Sequence, residues 1–408
     1  MRIVFLCTSS LDYPSPRGRW LPVAHELGAA GHEVHLALLH HTFDQLPRPA
    51  RTLVRGAVGA HYVGQMHVYG PVGRRRYFGP AALLRVSLAG AAALAQAALR
   101  LRAEAVHVCK PQPINGLAGA LAAAMLDVPL YVDCDDYEAG GNRTASLWQR
   151  SVLAAWEDRL PLRAAGVTVN TRFLAERCRA LGVPPERIAY VPNGVPAARL
   201  APPPEHQVKG LRAALGLGDA PVALYLGTLS QTTHNVALLL EAFALAARRL
   251  PEARLLLVGE GEDREALERR ARDLGLAGRA LFTGPAAADA TPAFLALAAC
   301  SVDPVADDPV ARARSPLKIV ESLASGVPVV TGDVGDRREV LAGTAGLVVT
   351  PGDARALAEG LVSALGDPGL CAGLADGARE RARHYRWDRL APEWEQIYRP
   401  GARGARPR

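Results

Sequence analysis

With 408 residues the chain is long enough for two domains of ordinary size, each able to bury its own core. Hydrophobic residues make up 49% and charged residues 21%, the balance of a soluble globular protein. The net charge of +7 is too dilute over this length to suggest nucleic-acid binding, and it comes almost wholly from arginine, because only Lys110, Lys209 and Lys318 are lysine.

Six cysteines are scattered with no C-x-x-C pair, so they suggest a reducing compartment and neither a disulfide framework nor a zinc site. Residues 1–7, MRIVFLC, form a short strand rather than a secretory signal, and the expected location is cytoplasmic.

In chain order, a strand at 2–7 leads into the turn-rich loop TSSLDYPSPRG, a helix over 19–30 and a strand over 31–39. That is the opening of a doubly wound sheet, whose ligands collect at strand carboxyl ends. Gly18, at the end of the loop, would let the backbone approach a bound group closely. Residues 43–80 read as irregular, and their Arg74, Arg75 and Arg76 followed by Tyr77 and Phe78 suggest either a solvated loop or contact with an anionic lipid surface. A helix over 80–101 follows; it holds Arg85 and Gln96 and is mostly alanine, so it reads as a buried or surface helix rather than a span.

The strand 105–109 carries His107 and ends at Lys110, and the strand 129–132 runs into Asp133, Asp135, Asp136 and Glu138. Four carboxylates within six residues repel one another unless something cationic or protonated sits among them. Hydrogen bonding to sugar hydroxyls and metal binding are both open readings, the first favoured because no ligand cluster appears elsewhere. Helices at 146–164 and 171–181 and strands at 166–170 and 188–194 complete the first half.

Residues 196–221 have the composition of a linker. Strand–helix alternation then resumes, with strands near 222, 254, 280, 300, 328 and 346 and a helical close from 368 to 398, where Trp387 and Trp394 supply packing. The expected division is 1–198, 199–384, a helix over 385–400 packing back on the first domain, and a basic tail at 401–408. A cleft between two sets of strand carboxyl ends is the expected ligand site.

The stretch RSPLKIVESLASGVPVV, residues 314–330, organises the second half. Ser315 suits a helix N-cap and Pro316 the first helical position. Leu317, Val320, Leu323 and Ala324 give one apolar face, and Gly326 suits the left-handed cap before the strand. The start of such a helix attracts an anion such as a diphosphate. Lys318 in its first turn opposes the helix dipole, which makes more sense with an anion present. Glu321, one turn on, can accept from a ribose diol.

These strings, with VPNGV at 191–195, LYLGTLS at 224–230, NVALLLEAF at 235–243, LLLVGEGEDREALE at 255–268, LFTG at 281–284 and AGLVVTPGDARALAEGL at 345–361, resemble glycosyltransferase family 4 over almost the whole chain. The resemblance implies the GT-B architecture: two Rossmann-like α/β domains facing each other across a cleft. It also implies a nucleotide-diphosphate sugar as donor substrate, a glycan, lipid or small-molecule acceptor, retention of configuration, and no obligatory metal or cofactor. On the donor side it implies Gly18 and Glu321, and Gly227, Thr228, His234, Arg314, Ser315, Leu317 and Lys318 are the other expected donor contacts, Arg314 and Lys318 supplying positive charge. Asp135, Asp136 and Lys318 are the expected catalytic residues, with His107 and Lys110 toward the acceptor. The chain departs from the family at Ala313, where a glutamate is usual, at Thr228 and His234, where Arg and Lys are usual, and near Asp135, where a histidine is usual. A non-catalytic sugar-nucleotide binder and a sugar-nucleotide epimerase are the alternative readings.

Overall fold

The computed structural model describes residues 1–70, 76–142, 146–231 and 234–399. Two compact units emerge: Met1–Asn193 together with the segment that begins at Trp387, and Gly194–Arg386.

The first unit is built on Arg2–Cys7 (β1), Glu33–His40 (β2), Thr52–Arg55 (β3), Val58–Gln65 (β4), Val68–Tyr69 (β5), Arg76–Tyr77 (β6), Ala105–Cys109 (β7), Leu130–Cys134 (β8), Gly166–Val169 (β9) and Ile188–Tyr190 (β10). Eight of these form one sheet in the order β10-β9-β8-β7-β1-β2-β4-β3, while β5 and β6 pair as a small ribbon. All neighbours in the large sheet run parallel except β3, which is antiparallel to β4 at the edge. Both faces are covered, as a parallel sheet requires. Along β1, Ile3, Phe5 and Cys7 enter one apolar cluster, and Val4 and Leu6 the other.

The second unit is built on Val222–Leu226 (β11), Arg254–Val258 (β12), Ala280–Gly284 (β13), Cys300–Asp303 (β14), Val329–Gly332 (β15) and Gly346–Val349 (β16). They form an all-parallel sheet in the order β13-β12-β11-β14-β15-β16. Here too the strands alternate: Tyr225, Leu255 and Leu257 face one core, Leu224, Leu256 and Val258 the other. In each unit strand order reverses beside the first strand, between β1 and β7 and between β11 and β14. Ligands of open α/β sheets bind at the carboxyl ends there.

Three sequence expectations are corrected. The stretch 43–80 is not irregular throughout: β3 and β4 extend the sheet, although Gly56, Gly59 and Gly64 dilute the apolar alternation that signals strands. The linker contains the helix Glu205–Ala214, whose partly buried Val208 and Leu211 pack beneath β11 and β12 residues. The second unit takes residues 194–198 and reaches Arg386, because Val195 N–H donates to Tyr385 O at 2.8 Å and Val195 pairs with Arg386. The helix Pro80–Arg100 is long and apolar enough to cross a membrane, yet Ala91, Leu94, Ala95 and Ala98 are buried against the sheet. Arg74 and Arg75 and the tail 401–408 lie outside the described residues.

Candidate active site

In the second unit, β11 hands the chain to a loop that is zipped onto the loop after β12. Gly227 N–H donates to Val258 O and Leu229 N–H to Glu260 O, both at 3.0 Å. Gly259 has φ +155°, and a Cβ there would lie 1.8 Å from Gly227 O, so only glycine fits. Tyr225, buried at the end of β11, donates its hydroxyl to Thr228 O at 2.7 Å. The Thr228 side chain itself is exposed.

Asp303 ends β14 and is buried between two cations: Arg337 Nε lies 2.8 Å from Oδ2 and Lys318 Nζ 3.3 Å from Oδ1. Burial would raise this carboxyl, but Arg337 and Lys318 outweigh it and hold it well below the usual range. Lys318 Nζ also lies 4.2 Å from the centre of the Tyr225 ring, a cation–π contact. Burial lowers the Lys318 ammonium, Asp303 opposes that, and Arg314 and Arg337 add to it. His234 completes the group: burial, Lys318 and Arg314 together push its ring far below its ordinary value, so it is neutral. Two cations thus share one carboxylate beside a neutral histidine, and the group keeps a residual positive charge at the carboxyl edge of β11 and β14.

The helix Leu317–Ala324 begins here. Its N-cap position is Pro316, not Ser315, and no side chain caps it. Pro316 adopts ψ 115°, which places the helical start one residue later than the capping pattern suggests. The far end follows expectation: Gly326 takes φ +68°, and Val327 N–H donates to Ser322 O at 2.9 Å. Val320, Leu323 and Ala324 are buried, as is Ile319, which the face pattern omitted. Leu317, expected among the donor contacts, packs against the same apolar cluster. Ser315 and Glu321 are half-buried beside this start.

In the first unit the acidic run is divided between two cations. Asp133 is wholly buried and takes both arms of Arg19, Nε to Oδ2 and Nη2 to Oδ1, each at 2.8 Å. Trp20 Nε1–H and Thr168 O–H donate to the same carboxylate at 2.7 Å. Lys110, at φ +72°, serves the others: its Nζ lies 2.9 Å from Glu138, 3.2 Å from Asp135 and 3.7 Å from Asp136. Burial is the largest influence on the Asp135 carboxyl and, with repulsion from Asp133 and Glu138, pushes it up to about 7 against the pull of Lys110. Asp136 is more open, with 31% of its side chain exposed.

Two expected positions move. Gly18 is not in a loop but in a wide helical turn, Pro16–Trp20, that carries Arg19 and Trp20 inward to Asp133. His107, expected near the acceptor, is sealed in the core. Trp394 Nε1–H donates to Tyr398 Oη at 3.1 Å, and that hydroxyl shares a hydrogen bond with His107 Nδ1 at 2.6 Å. Burial, aided by Arg19, lowers the ring to about 3, so it stays neutral and packs.

The structure therefore groups Gly227, His234, Arg314 and Lys318 in one place, and Lys110, Asp135 and Asp136 in another. Sequence reading missed Arg19, Tyr225, Asp303 and Arg337. Asp303 carried a signal, as the one carboxylate closing the short strand within CSVDP; Arg337 carried none.

Two family descriptions match in tandem: "Glycosyl transferase 4-like domain" over residues 17–194 and "Glycosyl transferases group 1" over 220–367. The phosphatidyl-myo-inositol mannosyltransferase of Mycolicibacterium smegmatis is 29% identical over 401 residues, 98% of this chain and 93% of the relative. A GDP-mannose-dependent α-(1-6)-phosphatidylinositol monomannoside mannosyltransferase of the same organism is 33% identical over 53% of this chain, and the match spans only 57% of that relative. Among solved structures, Anabaena HepE in complex with UDP-glucose superposes with a TM-score of 0.72 at 21% identity, covering 98% of both chains. That likeness shows the GT-B fold.

Proposed function

The chain belongs to glycosyltransferase family 4, and we propose that it is a retaining enzyme moving a sugar from a nucleotide-diphosphate sugar to an acceptor hydroxyl without a metal in the donor chemistry. The grouping of Lys318, Arg314 and neutral His234 at the uncapped start of the helix Leu317–Ala324 carries this reading. A diphosphate bound there meets cations and first-turn N–H groups together. Glu321, one turn along, takes the ribose diol. The acceptor oxygen bonds to the anomeric carbon on the face that the diphosphate leaves; the carbon–phosphate-oxygen bond breaks, and the leaving phosphate takes the acceptor proton. Negative charge grows on that phosphate in the transition state, so fixed cations speed the step.

Asp135 and Asp136 orient the sugar or the acceptor in this reading, held in place through Lys110. A lipid acceptor accords with the phosphatidylinositol named for the relatives. Peripheral membrane contact accords with exposed Leu84, Leu88 and Tyr77 on and beside the helix Pro80–Arg100. Calorimetry against a panel of nucleotide sugars tests the proposal: one donor binds in the presence of chelator, and proton NMR of the product shows the donor's anomeric configuration. Binding to none of them overturns it.

One observation favours a second reading, a sugar-nucleotide binder without turnover. Ala313 stands fully buried where the family usually presents a glutamate to the sugar. Donor binding with neither transfer nor slow donor hydrolysis selects that reading.

A further inference from the structure

Among the described residues, one group of histidine and carboxylate side chains brings its ligating atoms within 4.8 Å of one another: Asp12, His40 and His41. Asp12 lies in the loop after β1; His40 closes β2 and His41 follows it. The group therefore stands at the carboxyl edge of the first sheet, where neighbouring strands end. Both histidines are buried, each 7% exposed, whereas the Asp12 side chain is 48% exposed.

Hydrogen-bond bookkeeping at His41 is decisive. Its Nδ1 lies 2.8 Å from the carbonyl oxygen of Gly70, which can only accept, so that nitrogen carries a proton. In the neutral ring Nε2 then presents a lone pair, and it faces Asp12 Oδ2 at 3.0 Å. Two acceptors at that separation need a positive charge between them, either a second ring proton or a metal ion. His40 Nε2 lies 3.3 Å from the same oxygen. Its Nδ1 accepts from Thr42 N–H at 3.1 Å, so in the metal-free neutral ring Nε2 carries the proton toward Asp12. Ligation through Nε2 requires the ring proton to move to Nδ1, where Thr42 Oγ1 at 3.2 Å accepts it at the cost of the Thr42 N–H bond. The two rings stack with centroids 4.4 Å apart, so both Nε2 atoms reach the same carboxylate.

A histidine that gives its other N–H to a backbone carbonyl is the usual arrangement around a bound metal. Tetrahedral ligands at bond lengths of about 2.0 Å stand about 3.3 Å apart, close to the separations seen. Imidazole and carboxylate donors suit zinc and its late first-row neighbours. We propose that Asp12, His40 and His41 form a binding site for a divalent transition-metal ion of the zinc class, with the fourth position open toward solvent beside Asp12. Ser10 Oγ donates to Asp12 Oδ2 at 3.0 Å and Leu11 N–H to Tyr62 Oη at 3.3 Å, so the ion would pin the loop after β1 to the ends of β2 and β4. The site is built wholly within the first unit and takes no part in the donor chemistry proposed above.

The test is titration of the metal-stripped full chain with Zn²⁺ by calorimetry and with Co²⁺ by visible absorption. Wild type takes up one equivalent with a tetrahedral nitrogen–oxygen Co²⁺ spectrum, and Zn²⁺ raises its melting temperature. Asp12→Asn and His41→Gln each weaken binding by more than the roughly 10–100-fold that loss of an outer partner costs. His35→Gln, in the separate His35–His61 pair, leaves binding unchanged. His40→Gln replaces either variant that fails to fold by circular dichroism. No uptake at micromolar ion, undiminished binding in the variants, or a thiolate-type spectrum from the cysteines overturns the proposal and leaves the three side chains sharing protons alone.

Discussion

Lys318 and Arg337 share the single carboxylate of Asp303, so the trio keeps one positive charge that attracts anions. Replacing Lys318 with alanine leaves Asp303 paired to Arg337, so the fold should hold while donor chemistry suffers. Lys318→Ala is expected to lower kcat roughly 10²–10³-fold, read from initial rates at saturating donor. Asp303→Asn acts in the opposite sense. It strands Arg337 and Lys318 without their counter-charge and is expected to cost about 3–5 kcal/mol, read by urea denaturation. Asp135 supplies a pH signature. Its carboxyl is raised to about 7 when folded, from 3.8, so the folded form holds its proton more tightly. Stability from this residue is complete below the lower value and declines as pH rises toward 7. Asp135→Asn removes that decline, so its melting temperature relative to wild type should climb between pH 4 and 7 and level off above. An unchanged difference across that window would show that Asp135 stays ionised.

Among the elements, the loops after β11 and β12 depend on each other more than on their own sequences. Gly259→Ala would drive a methyl into Gly227 O and open the zip, so it should weaken donor binding as well as stability, by about 1–3 kcal/mol of backbone strain alone. Calorimetry with the cognate donor, beside a thermal melt, separates the two effects. The alternation of strand and helix was legible because a parallel sheet buried on both faces demands continuous β-branched and aliphatic runs, and β1, β7 and β13 fell where those runs lie. The edge pair β3–β4 was not legible, because its glycines and histidines break the apolar period while pairing supplies what side chains do not. Helix starts were legible to within a residue at Pro316. The partners of charges were harder. Lys318 and the acidic run stood out as local oddities, but the reasons for them, Asp303 with Arg337 and Arg19 with Lys110, come from residues far away in sequence. Long-range contacts leave no periodicity to read, so His107 could be assigned a ligand when its ring is sealed in the core.

At the scale of the molecule, the chain leaves its first unit at Asn193 and returns to it at Trp387. Trp387 and Trp394 are fully buried there, in one cluster with Phe5, Trp20 and Tyr131. Trp394→Ala is expected to cost about 3–5 kcal/mol, and the loss should fall on the first unit, as hydrogen exchange of β1 and β7 against β11 and β12 would register. Equal loosening of both sheets would mean that the units melt as one.

That return has a consequence for biogenesis. Strand β1 leaves the ribosome almost four hundred residues before the tryptophan that covers it, whereas every strand of the second unit can find its neighbours within a much shorter length of nascent chain. The segment made later is thus free to close first, and the early half must wait, with aromatic surface open to chaperones, until Trp387 and Trp394 have been made.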